Sequence, residues 1–291
     1  MKIAVIGSNG QLGTDLLTTL NKYPHIKPLS ITHQDIEVSN QKSVKNQLYE
    51  LKPNIVINCA AFHQIDECEK NPNLAFQINT LGALNVAQVC SELNAFCVYI
   101  STDYVYNGNK KSPYTESDAT SPINIYGTSK LAGEHITSQK CPDSLIIRLS
   151  SLFGKAGSKG KGGNFIEAII NKAKTEGRLQ VVNDIFISPT YTVDAATTIL
   201  KLIERKAKGL VHVTNSIPSD CTWFTLAKQT LEFCKIDAQI DAISSNDYPS
   251  VANRPIYSVL DNQKAEHITG IRIPDWVDAV KRYLMEKQYI H

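Results

Sequence analysis

A short apolar strand that leads directly into three closely spaced glycines most constrains how this chain can fold. The sequence opens MKIAVIGSNGQLG, with Gly7, Gly10 and Gly13, and an amphipathic stretch near helical periodicity follows. A strand, a glycine turn and a helix in this order predict a dinucleotide-binding βα unit. In such a unit Gly7 permits the tight turn, Gly10 lets the backbone approach a pyrophosphate, and Gly13 lets the helix pack against the sheet. An ordinary strand–helix turn is the alternative interpretation.

The end of the second predicted strand bears on which dinucleotide the unit would bind. A site specific for NAD places an acid there, about 20 residues after the glycines, to bind the adenine ribose 2′-hydroxyl. Residues 28–33 read PLSITH, so no acid stands at this position and a 2′-phosphate would not be repelled. We therefore predict NADPH as the cofactor, with NADH as the second coenzyme that the site could accept. No arginine stands there for the phosphate, and His33 is a poor substitute.

Strands and helices alternate through the first half of the chain. The predicted strands cover residues 2–7, 27–32, 54–60, 96–101 and 144–150, and the predicted helices cover residues 11–21, 41–51, 72–93 and 124–139. Repeated βα units with short connections predict an α/β fold, namely a Rossmann-type doubly wound parallel sheet. Ligands bind beyond the carboxyl ends of such strands, so Gly7–Gly13, Cys59–His63 and Ser101–Tyr104 are expected to line one crevice.

The second half of the chain has a different character and predicts a smaller C-terminal substrate-binding cap. Residues 1–150 are expected to form the NAD(P)-binding Rossmann domain, to which a later segment at about 179–215 returns. Residues 151–291 are expected to form mainly the cap, which is discontinuous and includes a short strand at 258–261. The lysines of the glycine-rich segment 153–163 predict either a mobile lid near phosphates or a solvated loop.

Tyr126 and Lys130 form the most informative chemical pattern, because they stand four residues apart in a predicted helix. Residues at this spacing share one helix face, so the phenol and the ammonium point into the same space. A neighbouring cation lowers the pKa of a phenol, which lets a tyrosine give or take a proton near neutral pH. Thr102, at the end of an apolar run, could hold the substrate oxygen that receives the proton. The alternative is a surface tyrosine beside a solvated lysine, and the glycine loop favours the catalytic interpretation.

Composition excludes several other classes of protein. The chain has 291 residues and a net charge of +2, which suits one large domain or a domain with a cap and argues against a nucleic-acid partner. No apolar run approaches the roughly 18 residues of a membrane span, and the apolar start is too short for a signal-peptide core. Seven cysteines without a Cys-x-x-Cys pair fit a reducing cytoplasm. Cys59, His63 and Cys68 lack zinc-site spacing, so we predict no metal.

Seven segments together resemble the dTDP-4-dehydrorhamnose reductase family of the extended short-chain dehydrogenase/reductase superfamily, and the resemblance covers nearly the whole chain. They are GSNGQLG (7–13), VINCAAF (56–62), ISTDYVYNG (100–108), SPINIYGTSKLAGE (121–134), GGNFIEAI (162–169), SPTYTVD (188–194) and RPIYSVLD (254–261). The glycine motif and Tyr-x-x-x-Lys indicate only the superfamily, whereas the other segments point to the sugar-nucleotide reductases. The resemblance implies NADPH-dependent reduction of the C4 ketone of a dTDP-linked 4-dehydro-6-deoxysugar, from dTDP-4-dehydrorhamnose to dTDP-L-rhamnose.

The resemblance also implies a role for individual residues. It makes Thr102, Tyr126 and Lys130 the catalytic trio. The residues that it places against the cofactor are Gly7, Asn9, Gly10, Gln11, Leu12, Gly13, Glu37, Val38, Ala60, Ala61, Phe62, His63, Tyr126 and Lys130, with Glu37 and Val38 beside the adenine. The residues that it places against the nucleotide-sugar substrate are Thr102, Asp103, Ser151, Asn164 and Arg254, with Asn164 and Arg254 at the diphosphate.

The chain departs from the family pattern at three places. Ser151 stands where related reductases commonly carry a tryptophan that packs on the sugar, so the identity of the sugar is open. Phe62 and His63 replace a more usual Tyr-Thr or His-Thr pair at the nicotinamide end. Some relatives pair their subunits through acidic metal ligands; Asp15 could serve as one, but Val193 occupies another such position. A homodimer is expected without that metal bridge.

Other functions remain open at this level. A sugar-nucleotide 4,6-dehydratase would need a glutamate after Asp103, where Tyr104 stands. An epimerase, or a reductase for a different sugar nucleotide, would use the same fold. A regulatory subunit like methionine adenosyltransferase beta would bind NADP as a structural ligand and act through a partner protein, although the complete set of Thr102, Tyr126 and Lys130 favours catalysis.

Overall fold

The central strands of this protein are mostly apolar and buried, because helices cover both faces of its largest sheet. The computed structural model describes residues 1–157 and 163–291. The segments Ile55–Asn58 and Leu145–Leu149 are buried at every position, without the alternation of a sheet that has one solvated face. These segments and four others make one parallel sheet, here called the main sheet.

The strands and helices follow one another in βα order through the first half of the chain and less regularly afterwards. The strands are β1 (Lys2–Ile6), β2 (Lys27–Ile31), β3 (Ile55–Asn58), β4 (Phe96–Thr102), β5 (Leu145–Leu149), β6 (Leu152–Phe153), β7 (Arg178–Val182), β8 (Thr190–Tyr191), β9 (Gly209–His212) and β10 (Gln239–Ile243). The α-helices are α1 (Gln11–Leu20), α2 (Gln41–Leu51), α3 (Ile65–Lys70), α4 (Pro72–Phe76), α5 (Gly82–Glu92), α6 (Ile125–Lys140), α7 (Phe165–Glu176), α8 (Thr192–Glu204), α9 (Trp223–Cys234), α10 (Gln263–Thr269) and α11 (Trp276–Glu286).

The strand order of the main sheet creates the crevice that the sequence predicts. The order is β2-β1-β3-β4-β5-β9, and every neighbouring pair is parallel. The chain winds in one direction from β1 to β2 and in the other from β3 onward. In open α/β sheets, ligands bind beyond the carboxyl ends of the strands where the order reverses. The ends of β1, β3 and β4 therefore face one site.

Helices lie on both faces of the main sheet. Leu16 of α1 and Ile199 of α8 pack in the core on one face, and Leu48 of α2 and Val86 of α5 pack in the core on the other. The expected α/β fold with a doubly wound parallel sheet is therefore confirmed. No helix in the described ranges is both long and apolar enough to cross a membrane.

A smaller unit follows β5, with its own apolar core. Trp276 and Tyr283 of α11 are buried there with Ile166 of α7 and Leu226 of α9. β7 pairs with β10 in a separate two-stranded sheet. The predicted return at about 179–215 divides in the structure, because β7 belongs to this smaller unit while α8 and β9 pack on the main sheet.

Two local features differ from the sequence prediction. The predicted helix 72–93 contains a π-helical turn at Gln77–Leu81 between α4 and α5. The predicted strand 258–261 is wrong, because only isolated bridges form there, from Tyr257 to Phe186 and from Leu260 to Tyr114. The segment 153–163, predicted as a mobile lid or a solvated loop, lies partly outside the described residues.

Candidate active site

The glycine loop between β1 and α1 forms a compact cradle. Gly7 has a φ of +75°, a left-handed conformation that favours glycine, and its carbonyl oxygen accepts a hydrogen bond from the Gly10 amide at 3.0 Å. A Cβ on Gly13 would lie 2.3 Å from that same oxygen, so only glycine lets α1 approach the loop this closely. The sequence explanation for these glycines is therefore consistent with their geometry.

The start of α1 suits an anionic group. Within the described ranges no side chain caps this helix, so its first amides are available to a ligand, and the helix dipole favours negative charge there. Gln11 donates from Nε2 to the Leu152 carbonyl at 2.9 Å, and its buried Oε1 has no hydrogen-bond partner among the described residues. The cradle and this orphan acceptor fit a dinucleotide pyrophosphate and its ribose. Leu12 packs into the core, so only its backbone faces the loop, and Asn9 is exposed.

The end of β2 differs from the sequence expectation. Thr32 donates from its amide and from its hydroxyl to Asp35 Oδ2, both at 2.7 Å, and these hydrogen bonds lower the pKa of Asp35. A tight turn therefore folds an ionised carboxylate back onto the strand end. The premise that no acid lies near the end of β2 is wrong, because the turn brings the Asp35 carboxylate there from a position beyond the strand.

Glu37 and Val38 occupy a fixed segment after this turn. The Val38 carbonyl accepts a hydrogen bond from Asn85 Nδ2 at 2.8 Å. The Glu37 carboxylate accepts from the Ser39 amide at 3.1 Å and from the Ser39 hydroxyl at 2.8 Å. Gly82 of α5 leaves the space for the Val38 side chain, since a Cβ there would lie 2.9 Å from Val38 Cγ2.

The segment after β3 lies against the glycine loop. A Cβ on Gly7 would be 3.2 Å from the Cys59 carbonyl carbon, so the two strand ends are in contact. Ala60, Ala61, Phe62 and His63 follow there and are half-buried.

Asn79, which the sequence analysis missed, holds this segment in place. Its Oδ1 accepts from the Phe62 amide at 2.8 Å, and its Nδ2 donates to the Phe62 carbonyl at 3.0 Å and to Ser129 Oγ at 2.9 Å. Asn79 lies in the π-helical turn, a feature often found at functional sites. Helical periodicity carries no signal for such a turn.

Thr102 and Tyr126 meet at the end of β4, as predicted. Thr102 Oγ1 accepts from the Tyr104 amide at 3.2 Å and donates to Asp103 Oδ1 at 3.1 Å, and the Thr102 side chain acts to lower the pKa of the Tyr126 phenol. The rings of Tyr104 and Tyr126 lie edge to face with centroids 6.0 Å apart. Gly127 permits this approach of α6, because a Cβ there would lie 2.1 Å from the Tyr104 carbonyl oxygen.

Lys130 is buried beneath Tyr126 but does not act on it as the sequence predicts. Its side chain is almost fully buried, Nζ donates to the Ile100 carbonyl at 2.5 Å, and the ammonium lies 4.1 Å from the centre of the Tyr99 ring. Burial lowers the pKa of Lys130 to about 7. Burial also raises the pKa of Tyr126 well above its usual value, and the Thr102 side chain opposes this only in part. The expectation that Lys130 lowers the pKa of Tyr126 is corrected, since desolvation dominates and the ammonium is directed to Ile100.

A buried ion pair supports α6 from below and was also missed. Arg148 Nε and Nη2 donate to the two oxygens of Glu134 at 2.8 and 2.6 Å, and Ser101 Oγ donates to Glu134 Oε1 at 2.5 Å. Arg148 Nη1 also donates to the Tyr106 hydroxyl at 2.6 Å. Glu134 stands one helical turn after Lys130, so the sequence shows that the two residues share a helix face. It does not show that Arg148 on β5 is the buried partner of Glu134.

Asp103 and Ser151 lie beside Thr102. Asp103 is buried and accepts from the hydroxyls of Thr102 at 3.1 Å and of Ser150 at 2.9 Å. Burial raises the pKa of Asp103 to about 6, opposed by hydrogen bonds from Ser258, Ser150 and Thr102. Ser151 has a φ of +45°, and its Oγ lies 3.3 Å from Ser150 Oγ.

Arg254 comes from the smaller unit and reaches the same site. Its Nη2 donates to Asp66 Oδ2 at 3.1 Å, and its positive charge opposes the rise that burial causes in the pKa of Tyr104. Because the Tyr104 ring packs against Tyr126, Arg254 lies near the proposed proton donor.

The prediction that Asn164 contacts the substrate diphosphate is wrong, because its side chain is bonded inside the protein. It is buried, with 7% of its surface exposed. Its Oδ1 caps α7 at the Glu167 amide (3.1 Å), and its Nδ2 donates to Tyr283 Oη at 2.8 Å and to the Gly154 carbonyl at 3.3 Å. Both polar groups of the side chain are therefore used inside the protein, which leaves none for a substrate diphosphate.

Asp15 accepts a hydrogen bond from the Thr192 hydroxyl, and burial raises the pKa of its carboxyl. In the described part of the chain, no group of three or more His, Cys, Asp or Glu side chains is arranged to hold a metal ion.

Known proteins resemble this chain over its full length. The family model described as "RmlD substrate binding domain" matches residues 1–289. The spore coat polysaccharide biosynthesis protein SpsK of Bacillus subtilis (strain 168) is 37% identical over 98% of both chains. A dTDP-4-dehydrorhamnose reductase from Clostridium acetobutylicum has a TM-score of 0.93 at 37% identity, covering 99% of this chain and 100% of the other. The structure of a dTDP-4-dehydrorhamnose reductase from Bacillus anthracis in complex with NADP has a TM-score of 0.90 at 34% identity, covering 98% and 99%.

Proposed function

Because this chain belongs to the RmlD substrate binding domain family, we propose that it is an NADPH-dependent reductase of a dTDP-linked 4-dehydro-6-deoxysugar. The reaction would convert dTDP-4-dehydrorhamnose to dTDP-L-rhamnose by reduction of the C4 ketone. The observation that supports the proposal most directly is the placement of Tyr126 at the crevice of the main sheet, with its ring edge to face against Tyr104, two residues after Thr102.

The cofactor would lie across the switch point between β1 and β3. The cradle of Gly7, Gly10 and Gly13 and the uncapped start of α1 would hold the pyrophosphate. Glu37 and Val38 would flank the adenine, and Ala60 to His63 would line the nicotinamide end. When bound, the nicotinamide supplies the hydride that reaches the carbonyl carbon. The complex of a relative with NADP supports this choice of coenzyme.

Tyr126 would give its proton to the C4 oxygen as the ketone becomes an alcohol. Its raised pKa keeps the phenol protonated at neutral pH, so the acid form is ready in the folded enzyme. Thr102 would orient the carbonyl oxygen toward that proton. Lys130, buried behind Tyr126, would hold the nicotinamide ribose and bring positive charge near the developing alkoxide.

The substrate would lie between the two units of the protein, with residues 151–291 acting mainly as its cap. Thr102, Asp103 and Ser151, which lie at or just beyond the ends of β4 and β5, would contact the sugar. Arg254 would bind the diphosphate, because a guanidinium presents several donors that match phosphate oxygens.

A reductase for a different sugar nucleotide is the second candidate function. Ser151 stands where related reductases commonly carry a tryptophan that packs on the sugar, so the contacts to the sugar would differ. The relative from Bacillus subtilis is named for spore coat polysaccharide biosynthesis rather than for one sugar. A larger or differently oriented sugar would be the expected substrate in that case.

The test is to incubate the protein with NADPH and dTDP-4-dehydrorhamnose (dTDP-4-dehydro-6-deoxy-L-mannose), follow the loss of absorbance of the reduced nicotinamide, and identify the product. Formation of dTDP-L-rhamnose is expected. Oxidation only with another 4-dehydro sugar nucleotide would favour the second candidate. If no such sugar nucleotide oxidises NADPH and the protein captures a methionine adenosyltransferase, it is a regulatory subunit and the proposal fails.

A further inference from the structure

Asp66, on α3, holds the loop that carries Arg254. Its Oδ1 accepts from the Ala252 amide at 3.1 Å and from the Ser250 hydroxyl at 3.3 Å. Its Oδ2 accepts from Arg254 Nη2 at 3.1 Å, and the two side chains are 39% and 23% exposed. One carboxylate therefore fixes both the backbone of this loop and its guanidinium.

Glu69, three residues later on α3, holds the helix that carries Tyr126. Its Oε1 accepts a hydrogen bond from the Ile125 amide at 2.8 Å, in the first turn of α6. Asn124, the N-cap of α6, donates from Nδ2 to the Asn253 carbonyl at 2.9 Å, which joins the start of α6 directly to the Arg254 loop. Residues three apart share a face of a helix. The short helix α3 thus contacts the Arg254 loop and the Tyr126 helix through two acidic side chains.

The charge on Asp66 suits a positioning role. Burial alone would raise the pKa of its carboxyl, but hydrogen bonds from Ala252, Arg254 and Ser250 lower it, so it is ionised at neutral pH. Arg254 Nη2 donates to Asp66, and Nη1 donates to the Ser250 hydroxyl and to the Ala252 carbonyl at 3.4 Å. A guanidinium has five donors, so the one on Nε and the second on Nη2 remain for a ligand. Because the contact with ionised Asp66 already restricts the rotamers of Arg254, this side chain loses less conformational entropy when it binds a phosphate.

We propose that α3 is a clamp that sets the distance between the diphosphate-binding and proton-donating groups, with Asp66 positioning Arg254 and Glu69 positioning the start of α6. The inference rests on the proposed function, since it assumes that Arg254 binds the diphosphate and that Tyr126 donates the proton. Neither carboxylate touches the reacting atoms. Each acts through another residue, and a displacement of about 1 Å in such a site can cost up to 100-fold in rate.

Substitutions within α3 separate the two arms of the clamp. Asp66→Asn can keep an acceptor for the Ala252 amide but loses the charged contact to Arg254. Glu69→Ala removes the contact to Ile125. Glu67→Gln is the matched control, because Glu67 is exposed on the same helix and pairs with Lys70 at 2.9 Å. All three variants are checked for an unchanged melting temperature and for NADPH affinity.

The measurements are dTDP affinity by calorimetry, the KM for the nucleotide sugar, and kcat. Asp66→Asn is expected to weaken dTDP binding and raise KM by about three- to tenfold with kcat near that of the wild type, because a charged hydrogen bond is lost at a partly exposed site. Glu69→Ala is expected to lower kcat by a similar factor with dTDP affinity unchanged. Adding Asp66→Asn to Arg254→Ala is expected to cause no further loss of dTDP affinity.

Three results would overturn the inference while the proposed function stands. The first is a dTDP affinity of Asp66→Asn equal to that of the wild type. The second is a tighter dTDP affinity in this variant, which would mean that Asp66 competes with the diphosphate for Arg254. The third is an equal loss of kcat and of dTDP affinity in Asp66→Asn and in Glu69→Ala. A wild-type protein that neither binds dTDP nor oxidises NADPH with a nucleotide sugar would instead refute the proposed function.

Discussion

Replacing Tyr126 by phenylalanine removes one hydroxyl and tests the proposed proton donor directly. General acid catalysis is typically worth about 10²–10⁴-fold, which corresponds to about 3–5 kcal/mol of activation free energy. The same hydroxyl interacts with the Thr102 side chain, and even a full hydrogen bond would contribute only about 1 kcal/mol to stability. The expected loss of turnover therefore greatly exceeds any loss of folded protein.

The assay compares kcat, NADPH affinity and melting temperature in Tyr126→Phe and the wild type. We expect kcat to fall by about 10²–10⁴-fold, NADPH affinity to change by less than about threefold, and the melting temperature to fall by only about 2–4 °C. Tyr49→Phe is the matched control, because Tyr49 is an exposed tyrosine of α2 that bonds Glu92 at 2.7 Å, and it should keep wild-type turnover. A Tyr126→Phe enzyme that retains more than about a tenth of wild-type kcat would refute the assigned role.

Three further predictions concern stability and cofactor binding. Gly13→Ala should disrupt the glycine loop and abolish NADPH binding, because the added Cβ would lie 2.3 Å from the Gly7 carbonyl oxygen. Gly177→Ala is the control, since no described atom lies within 4 Å of its added Cβ. It should keep NADPH binding and lose about 1–2 kcal/mol of unfolding free energy, because its backbone is left-handed. Burial raises the pKa of Asp103 from 3.8 to about 6. The unfolding free energy of the wild type should therefore fall by roughly 3 kcal/mol relative to Asp103→Asn between about pH 4 and pH 7, because the unfolded chain gives up this proton at a lower pH than the native carboxyl does. If urea unfolding gives a difference in unfolding free energy between the two proteins that does not depend on pH, the prediction is wrong. Burial lowers the pKa of Lys130 from 10.5 to about 7, so Lys130→Met should lose turnover yet be more stable than the wild type, most of all below about pH 7. The gain should shrink between about pH 7 and pH 10.5, because over this range the unfolded chain loses the lysine proton as the pH rises. A gain in unfolding free energy that stays constant over this range would contradict the lowered pKa of Lys130.

Much of the fold follows from local sequence patterns. The apolar strand before Gly7, the glycine spacing and the alternation of βα units predict the parallel sheet, because each pattern depends on neighbours in the chain. The same holds for Thr102 and Tyr126, since a strand end and a helix face are local features. The order of the strands then brings these positions together.

Two sequence interpretations changed because of local contacts that the motif interpretation did not include. The Asp35 carboxylate bonds Thr32 three residues earlier, and Asn164 caps α7 at Glu167 three residues later. Other features depend on contacts between distant segments, which the sequence alone could not supply, and the bond from Asn164 to Tyr283 is one of them. Asn79 and Arg148 carry no visible signal because a polar residue in an apolar run predicts neither its partner nor its burial.

The amino-acid order by itself determined the parallel α/β sheet, the glycine cradle and the meeting of a threonine with a tyrosine at a strand end. Only the tertiary structure decided the charge states at that site. A lysine four residues from a tyrosine predicts a lowered phenol pKa, but packing buries both groups and turns the Lys130 ammonium toward the Ile100 carbonyl. Desolvation depends on every atom packed around a group, whereas spacing records only its neighbours in the chain.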